Sequence, residues 1–254
     1  MNRRTLALGS FLLVVVLAGC LGSGSLSEED LTGDADYEWD TEETATYNLS
    51  AGSREYTAVI HVGNQSSLTI HRDSTFRGEQ GVEIEALQYR FQNGTVVNAT
   101  HPHLNASLHS DRTVINLPAE NGSVAYIAPR SGKQFSTPVF VEGSHRVDLP
   151  ESTRVGIPLL SRTTPGGSET TVENDRMRII WEDLSDERIS VRYYLVRDLY
   201  IFGSMLAIGI TLAAGGGLYY WRQIKRARSR REEYGLDIED DDDIGDDGPP
   251  PGMR

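Results

Sequence analysis

Cysteine is almost absent from this chain: of 254 residues only Cys20 carries a thiol. No intramolecular disulfide can staple the fold, so its stability must come from a hydrophobic core. Lysine is scarce as well, with Lys133 and Lys225 the only two among 24 basic residues, against 37 acidic ones. The formal charge of −13, and the lack of a basic face outside one short cluster, argue against a nucleic-acid partner. Excess carboxylates keep a surface hydrated where salt screens ordinary charges, so this is the composition of a salt-adapted chain. Catalytic signatures are missing too. There is no Gly-x-Ser-x-Gly elbow or Ser-x-x-Lys pair. There is no P-loop or glycine-rich dinucleotide turn either, because Gly215-Gly216-Gly217 lies inside an apolar run. The sequence implies no cofactor and no enzyme class.

The longest apolar run organises the chain. Residues 199–221 contain no charged side chain and match the roughly 20 residues of helix that cross a hydrocarbon core of about 30 Å. Arg222, Lys225, Arg226, Arg228, Arg230 and Arg231 follow it, whereas Arg197 beside Asp198 precedes it. This asymmetry predicts a cytoplasmic C-terminal side and an extracellular bulk. Tyr200 and Phe202 at one end, and Tyr219, Tyr220 and Trp221 at the other, suit the two headgroup levels. Gly203, Ala207, Thr211 and Gly215 recur every four residues. Small side chains in such a stripe allow close helix packing, either in self-association or against another membrane protein.

The start of the chain reads as a second anchor. Asn2-Arg3-Arg4, an apolar stretch over 6–18 and small residues before Cys20 have the anatomy of a secretory signal at 1–19. Leu17-Ala18-Gly19-Cys20 resembles a lipobox, which implies lipidation of Cys20; an uncleaved signal anchor is the alternative. Arg3-Arg4-Thr5-Leu6 resembles a twin-arginine signal, leaving that route and the general one both open. One lipid binds a membrane only marginally, so beside a spanning helix it would act as a tether for the N-terminal end. The acidic, polar residues 20–43 are expected to form a disordered spacer.

From residue 44 to 198 the pattern has period two. Leu87, Tyr89 and Phe91 alternate with polar residues, and Asn93-Gly94 then predicts a hairpin turn. The same grammar, with Asn121-Gly122 as the turn, joins 114–117 to 124–127. Met177, Ile179 and Trp181 form another strand, and Ile189, Val191, Tyr193 and Leu195 the last; 56–62, 68–71, 135–141 and 146–149 are further candidates. Residues 158–167 read as loop. The expected class is mainly β, an antiparallel sandwich-like outer domain followed by one transmembrane helix.

Six Asn-x-Ser/Thr sequons, at Asn48, Asn64, Asn93, Asn98, Asn105 and Asn121, are candidate glycosylation sites on the extracellular side, although asparagine also serves turns. Their distribution predicts a sugar-clad distal part and a bare membrane-proximal part. His101-Pro102-His103 with His109 nearby is the cluster with ligand-like chemistry; two imidazoles two residues apart can share one face of an extended segment. No carboxylate or cysteine lies close to them, and an ordinary surface loop is the favoured alternative. His61 and His71 fall in strands, with structural or solvent-facing roles expected. The tail, 222–254, runs from basic to acidic across 237–247 and then to Pro249-Pro250-Pro251, as expected of a disordered, solvated segment.

Through the lipobox, the β-rich domain, the stretch Ile189-Ser190-Val191-Arg192-Tyr193-Tyr194 leading by Arg197-Asp198 into the span, and the basic exit, the chain resembles a haloarchaeal family of membrane-anchored surface lipoproteins of unknown function. That resemblance carries no functional residues over. The expected role is a glycosylated cell-surface protein that binds or scaffolds an envelope component, or serves as an accessory subunit of a membrane system. The rival is a surface hydrolase or metal-dependent enzyme built on the histidine cluster.

Overall fold

The structure, a computed structural model, describes residues 26–74, 78–185 and 187–233. Cys20, the 1–19 leader and the acidic end of the tail lie outside the described residues. In chain order the strands are β1 Ala45–Leu49, β2 Glu55–Val62, β3 Ser67–Ile70, β4 Arg72–Ser74, β5 Gly78–Gln80, β6 Glu85–Phe91, β7 Val96–Asn98, β8 Asn105–Leu108 and β9 Thr113–Asn116. They continue with β10 Gly122–Pro129, β11 Gln134–Pro138, β12 Gly143–Asp148, β13 Thr153–Arg154, β14 Arg162–Thr164, β15 Glu169–Glu173, β16 Arg176–Leu184, β17 Arg188–Arg192 and β18 Tyr194–Leu195. Among the described residues two helices flank them, the one-turn α1 Glu28–Leu31 and the long α2 Val196–Glu233.

The mainly β expectation holds. An eight-stranded sheet runs β15-β16-β12-β1-β2-β10-β6-β7. The three-stranded sheets β11-β17-β14 and β3-β9-β8 contribute Phe135, Ile189, Val191, Leu68, Ile70 and Ile115 to the core that the large sheet begins. Strand alternation decides which residues enter it. Tyr47 and Leu49 on β1, Ala58 and Ile60 on β2, Val124 and Tyr126 on β10, Leu87 and Tyr89 on β6 and Ile179 on β16 are all fully buried there. Phe135 lies 5.3 Å from the Tyr47 ring and 5.0 Å from that of Tyr56, so β11 is packed onto β1 and β2 by aromatic contact.

Three pairings differ from the local reading. Strands β1 and β12 run parallel, Ala45 beside His145 and Asn48 beside Asp148, within an otherwise antiparallel sheet. The 114–117 and 124–127 segments do not form a hairpin: β9 pairs with β3 and β8, and β10 with β2 and β6. Gly122 already belongs to β10, and a Cβ there would come within 2.3 Å of the Tyr89 hydroxyl and 2.5 Å of the Arg90 carbonyl. The glycine is required by close approach rather than by a turn. Finally, part of 158–167 is strand, with β14 on the edge of the β17 sheet. The predicted Asn93-Gly94 hairpin is present, with Gly94 at φ +85° and its N–H donating to the Phe91 carbonyl.

The largest correction concerns 20–43. From Leu26 this segment is a strap on the domain, not a solvated spacer. Ser27 caps α1 by accepting from the Asp30 N–H, and Leu31 is buried in the main core. Beyond α1 the strap covers the outer face of the large sheet, where Tyr37, Val59 and Ala125 form a second buried cluster with Ala35, Trp39 and Ile127 against it. Its polar contacts are specific. The Tyr37 hydroxyl donates to the Ala86 carbonyl at 2.6 Å, and the Gln88 amide to the Ala35 carbonyl at 2.9 Å. His61 bridges Ser123 Oγ at 2.7 Å and Thr41 Oγ1 at 3.0 Å, a structural role as expected. Ala86, at φ +49°, lies where the β6–β10 register shifts; this bulge presents its carbonyl to Tyr37.

Beside the strap lies a buried ion network. The Arg146 guanidinium reaches Glu43 and Glu38 at 3.1 Å and Asp148 at 3.2 Å, and Arg178 shares Asp148 at 3.1 Å. The Arg146 side chain is only 6% exposed, so these charges are strongly coupled.

His145 is the buried histidine of the same strand, fully buried, stacked on Tyr47, with Nδ1 2.9 Å from the Gly143 carbonyl. Desolvation lowers its pKa below the ordinary 6.5, against a smaller raising effect of the Gly143 carbonyl. Below 6.5 the unfolded chain binds a proton that the folded one refuses, so stability falls with falling pH until the folded value is passed. The unfolding free energy of the full chain should therefore fall as the pH drops below 6.5, with a slope of at most about 1.4 kcal/mol per pH unit for this group. His145→Phe, which keeps a ring against Tyr47, should flatten that slope; an unchanged slope would refute the assignment.

Candidate functional site

The chain direction gives the large sheet two distinct ends. At one end Val62 of β2, Gly122 of β10 and Phe91 of β6 lie side by side. At the other Glu55 pairs with Pro129, Arg176 with Glu173, and Ser152 accepts from the Val196 N–H where the chain leaves the domain. Arg130 organises this second end. Its guanidinium donates to the carbonyls of Ser50, Ser53, Glu55 and Gly132 and to the Tyr193 hydroxyl, at 2.5–3.1 Å. Five acceptors on one planar fork hold three loops together. Nearby, Lys133 pairs with Asp198 at 2.6 Å.

Arg130 also lines a cleft of about 240 Å³, together with Tyr56, His71, Arg72, Asp73 and Phe135. Aromatic and charged side chains line it together. Burial pushes the Tyr56 phenol up, so it stays a neutral donor there. The cleft is bordered by the β4–β5 hairpin, in which Asp73 sits directly across from Glu79. His71 Nε2 approaches a Glu79 oxygen at 3.8 Å, and Asp73 is ion-paired with Arg188 of β17.

The sequence-derived histidine cluster comes together only in part. The rings of His101 and His103 lie 5.9 Å apart, with the His103 N–H donating to His101 Nδ1 at 3.3 Å and the His101 ring against Phe91. His109 is not joined to them; its Nδ1 lies 3.3 Å from the Ser107 carbonyl. Among the described residues the close group of three donor side chains is His71, Asp73 and Glu79. His71, expected within a strand, lies between β3 and β4, and Glu79 becomes a neighbour of Asp73 only through the hairpin register.

The sequons divide between environments. Asn64, Asn93 and Asn121 are exposed and lie at the end of the large sheet away from Arg130. The Asn64 N–H donates to Asn121 Oδ1 at 3.1 Å. Asn93 and Asn98 each accept from the N–H of their own sequon threonine, and Asn98 also from its hydroxyl at 2.6 Å. Asn105 is exposed on β8 and accepts from Asn116 at 2.7 Å. Asn48, in contrast, is half-buried in the central strand β1 and accepts from Arg176 at 2.6 Å.

Taken by itself, α2 contains a segment, Val196–Arg231, long and apolar enough to cross a membrane. The predicted stripe lies along it. Gly203 and Gly215 have open space around them, and Thr211 satisfies its hydroxyl on the Ala207 carbonyl at 2.8 Å, as a polar side chain in lipid must. Lys225 lies 5.8 Å from the Trp221 ring at the basic exit.

Residues 41–239 match the model of a family of unknown function, DUF5803. No curated protein matches the chain.

Proposed function

We infer that this chain, which belongs to the family of unknown function matched over residues 41–239, is a single-pass cell-surface lipoprotein of the haloarchaeal envelope. Its β-domain lies outside, its basic C-terminal side is cytoplasmic, and Cys20 carries a lipid that tethers the strap. The domain binds or scaffolds an envelope component, or acts as an accessory subunit of a membrane system, with the small-residue stripe of α2 as the contact in the membrane.

The observation that carries this reading is the polarity of the domain: three exposed sequons, at Asn64, Asn93 and Asn121, lie at one end of the large sheet, while the Arg130 cleft and the exit at Val196 share the other. Sugars at one end of the domain and a bare cleft at the other suit a protein that meets its partner through the sugar-free end. The strap adds to it. With residue 26 already seated on the domain, six residues from Cys20 span at most about 20 Å, so the lipid would be a short leash.

In intact cells, protease added outside should remove the β-domain and leave a fragment containing residues 222–254 protected. Mass spectrometry of native glycopeptides should find sugar at Asn64, Asn93 or Asn121 and none at Asn48. A protected β-domain, or glycans confined to Asn48, would sink the topology. In-membrane cross-linking at native salt then separates the partners: a stoichiometric foreign membrane protein supports the accessory-subunit reading, and a link between two copies supports self-association.

A further inference from the structure

We propose that the β4–β5 hairpin is a divalent-metal site, with His71, Asp73 and Glu79 as ligands for a transition ion of the zinc or manganese class. Three observations converge on it. His71 stands just before β4, two residues from Asp73, and the register sets Glu79 directly opposite Asp73. Two carboxylates directly opposite each other repel; Arg188 offsets this at Asp73, and a cation between the pair would offset it further. The three donor atoms lie within 4.8 Å of one another. Ligands about 2.1 Å from a tetrahedral ion are roughly 3.4 Å apart, so small side-chain rotations close the set.

The donor chemistry selects the class of ion. One imidazole nitrogen and two carboxylate oxygens, with no thiolate, suit zinc or manganese and leave a coordination position open. His71 turns Nε2 toward Glu79, the orientation a shared ion needs. Arg188 holds one oxygen of Asp73 and leaves the other for the ion, in the orienting role that outer groups play around metal ligands. His71 and Asp73 also line the Arg130 cleft, so an ion held by them borders that cavity. The inference rests on the hairpin alone and stands or falls independently of the membrane topology.

The test uses the full chain in detergent at molar salt, titrated with Zn²⁺ by calorimetry and with Co²⁺ by visible absorption. One ion per chain is expected, with a d–d band on cobalt loading. Glu79 is 61% exposed at its side chain, so Glu79→Gln should fold normally and bind at least about tenfold more weakly. His71→Ala should abolish the cobalt band, while the His101→Ala/His103→Ala double variant keeps both binding and band. Circular dichroism checks each fold; if His71→Ala does not fold, Glu79→Gln decides. The proposal is overturned by the lack of saturable one-to-one binding, by unchanged affinity in Glu79→Gln, or by loss of binding in the His101/His103 variant.

Discussion

Arg146→Met should destabilise the β-domain by about 3–5 kcal/mol, the usual consequence of removing one partner from a buried ion pair. Glu43 and Asp148 are only 12% and 10% exposed at their side chains. Asp148 would keep Arg178, whereas Glu43 would lose its direct ion pair and keep only the more distant charge of Arg178. The loss should therefore appear mainly through Glu43, and the double variant Arg146→Met/Glu43→Gln should recover much of it because the stranded charge is gone. Denaturant unfolding of the four proteins of that cycle gives the coupling. The effect should persist in molar salt, since screening acts weakly on buried pairs. Arg90→Met is the contrast: its partner Asp40 is 89% exposed at the side chain, and a surface pair of that kind contributes little. Equal losses for Arg146→Met and Arg90→Met would refute the network as drawn.

Tyr37→Ala tests the strap itself. A fully packed aromatic ring truncated to a methyl group costs about 3–5 kcal/mol. Here the change also leaves the Ala86 carbonyl without the phenol that donates to it at 2.6 Å. Tyr37→Phe removes that hydrogen bond alone and should cost about 1 kcal/mol. A solvated spacer predicts no change for either substitution. Proteolysis gives a second readout: the 26–43 segment should resist cleavage in the parent protein and be cut early in Tyr37→Ala. If neither the unfolding midpoint nor the cleavage pattern moves, the strap does not stabilise the sheet.

That segment shows why the sequence was misleading. Tyr37 and Trp39 are two aromatic residues among many carboxylates, a composition that resembles a linker when it is averaged. The clue lay elsewhere, in the sheet. Val59 on β2, and Ala125 and Ile127 on β10, place apolar residues on the face that alternation assigns to solvent. A near-continuous apolar run marks a strand covered on both sides, and something in the chain had to cover it. The acidic residues then have reasons of their own: Glu38 and Glu43 answer Arg146, and Asp40 answers Arg90.

The candidate site follows the same division. His71 was read as a strand residue with a structural or solvent-facing role and Asp73 was not singled out, because the donor set depends on which residue lies opposite Asp73. His101 and His103 were legible as a pair, and they are one. His109 was grouped with them by proximity along the chain, which in a β-protein is a poor guide to proximity in space because each turn redirects the strand.

By itself the sequence determined the local and periodic features: an apolar stretch long enough to span a bilayer with basic residues after it, the alternating strands, and the Asn93-Gly94 turn. Each depends on residues a few positions apart, where propensity and burial pattern act directly. Only the tertiary structure decided the parallel pairing of β1 with β12, the closing of the strap over the outer face, and the meeting of Glu79 with His71 and Asp73. Arg146 and Glu43 stand 103 residues apart in the chain, and no local pattern encodes such a pair. It forms because burying both faces of one large sheet selects a single register, and that register brings distant charges together.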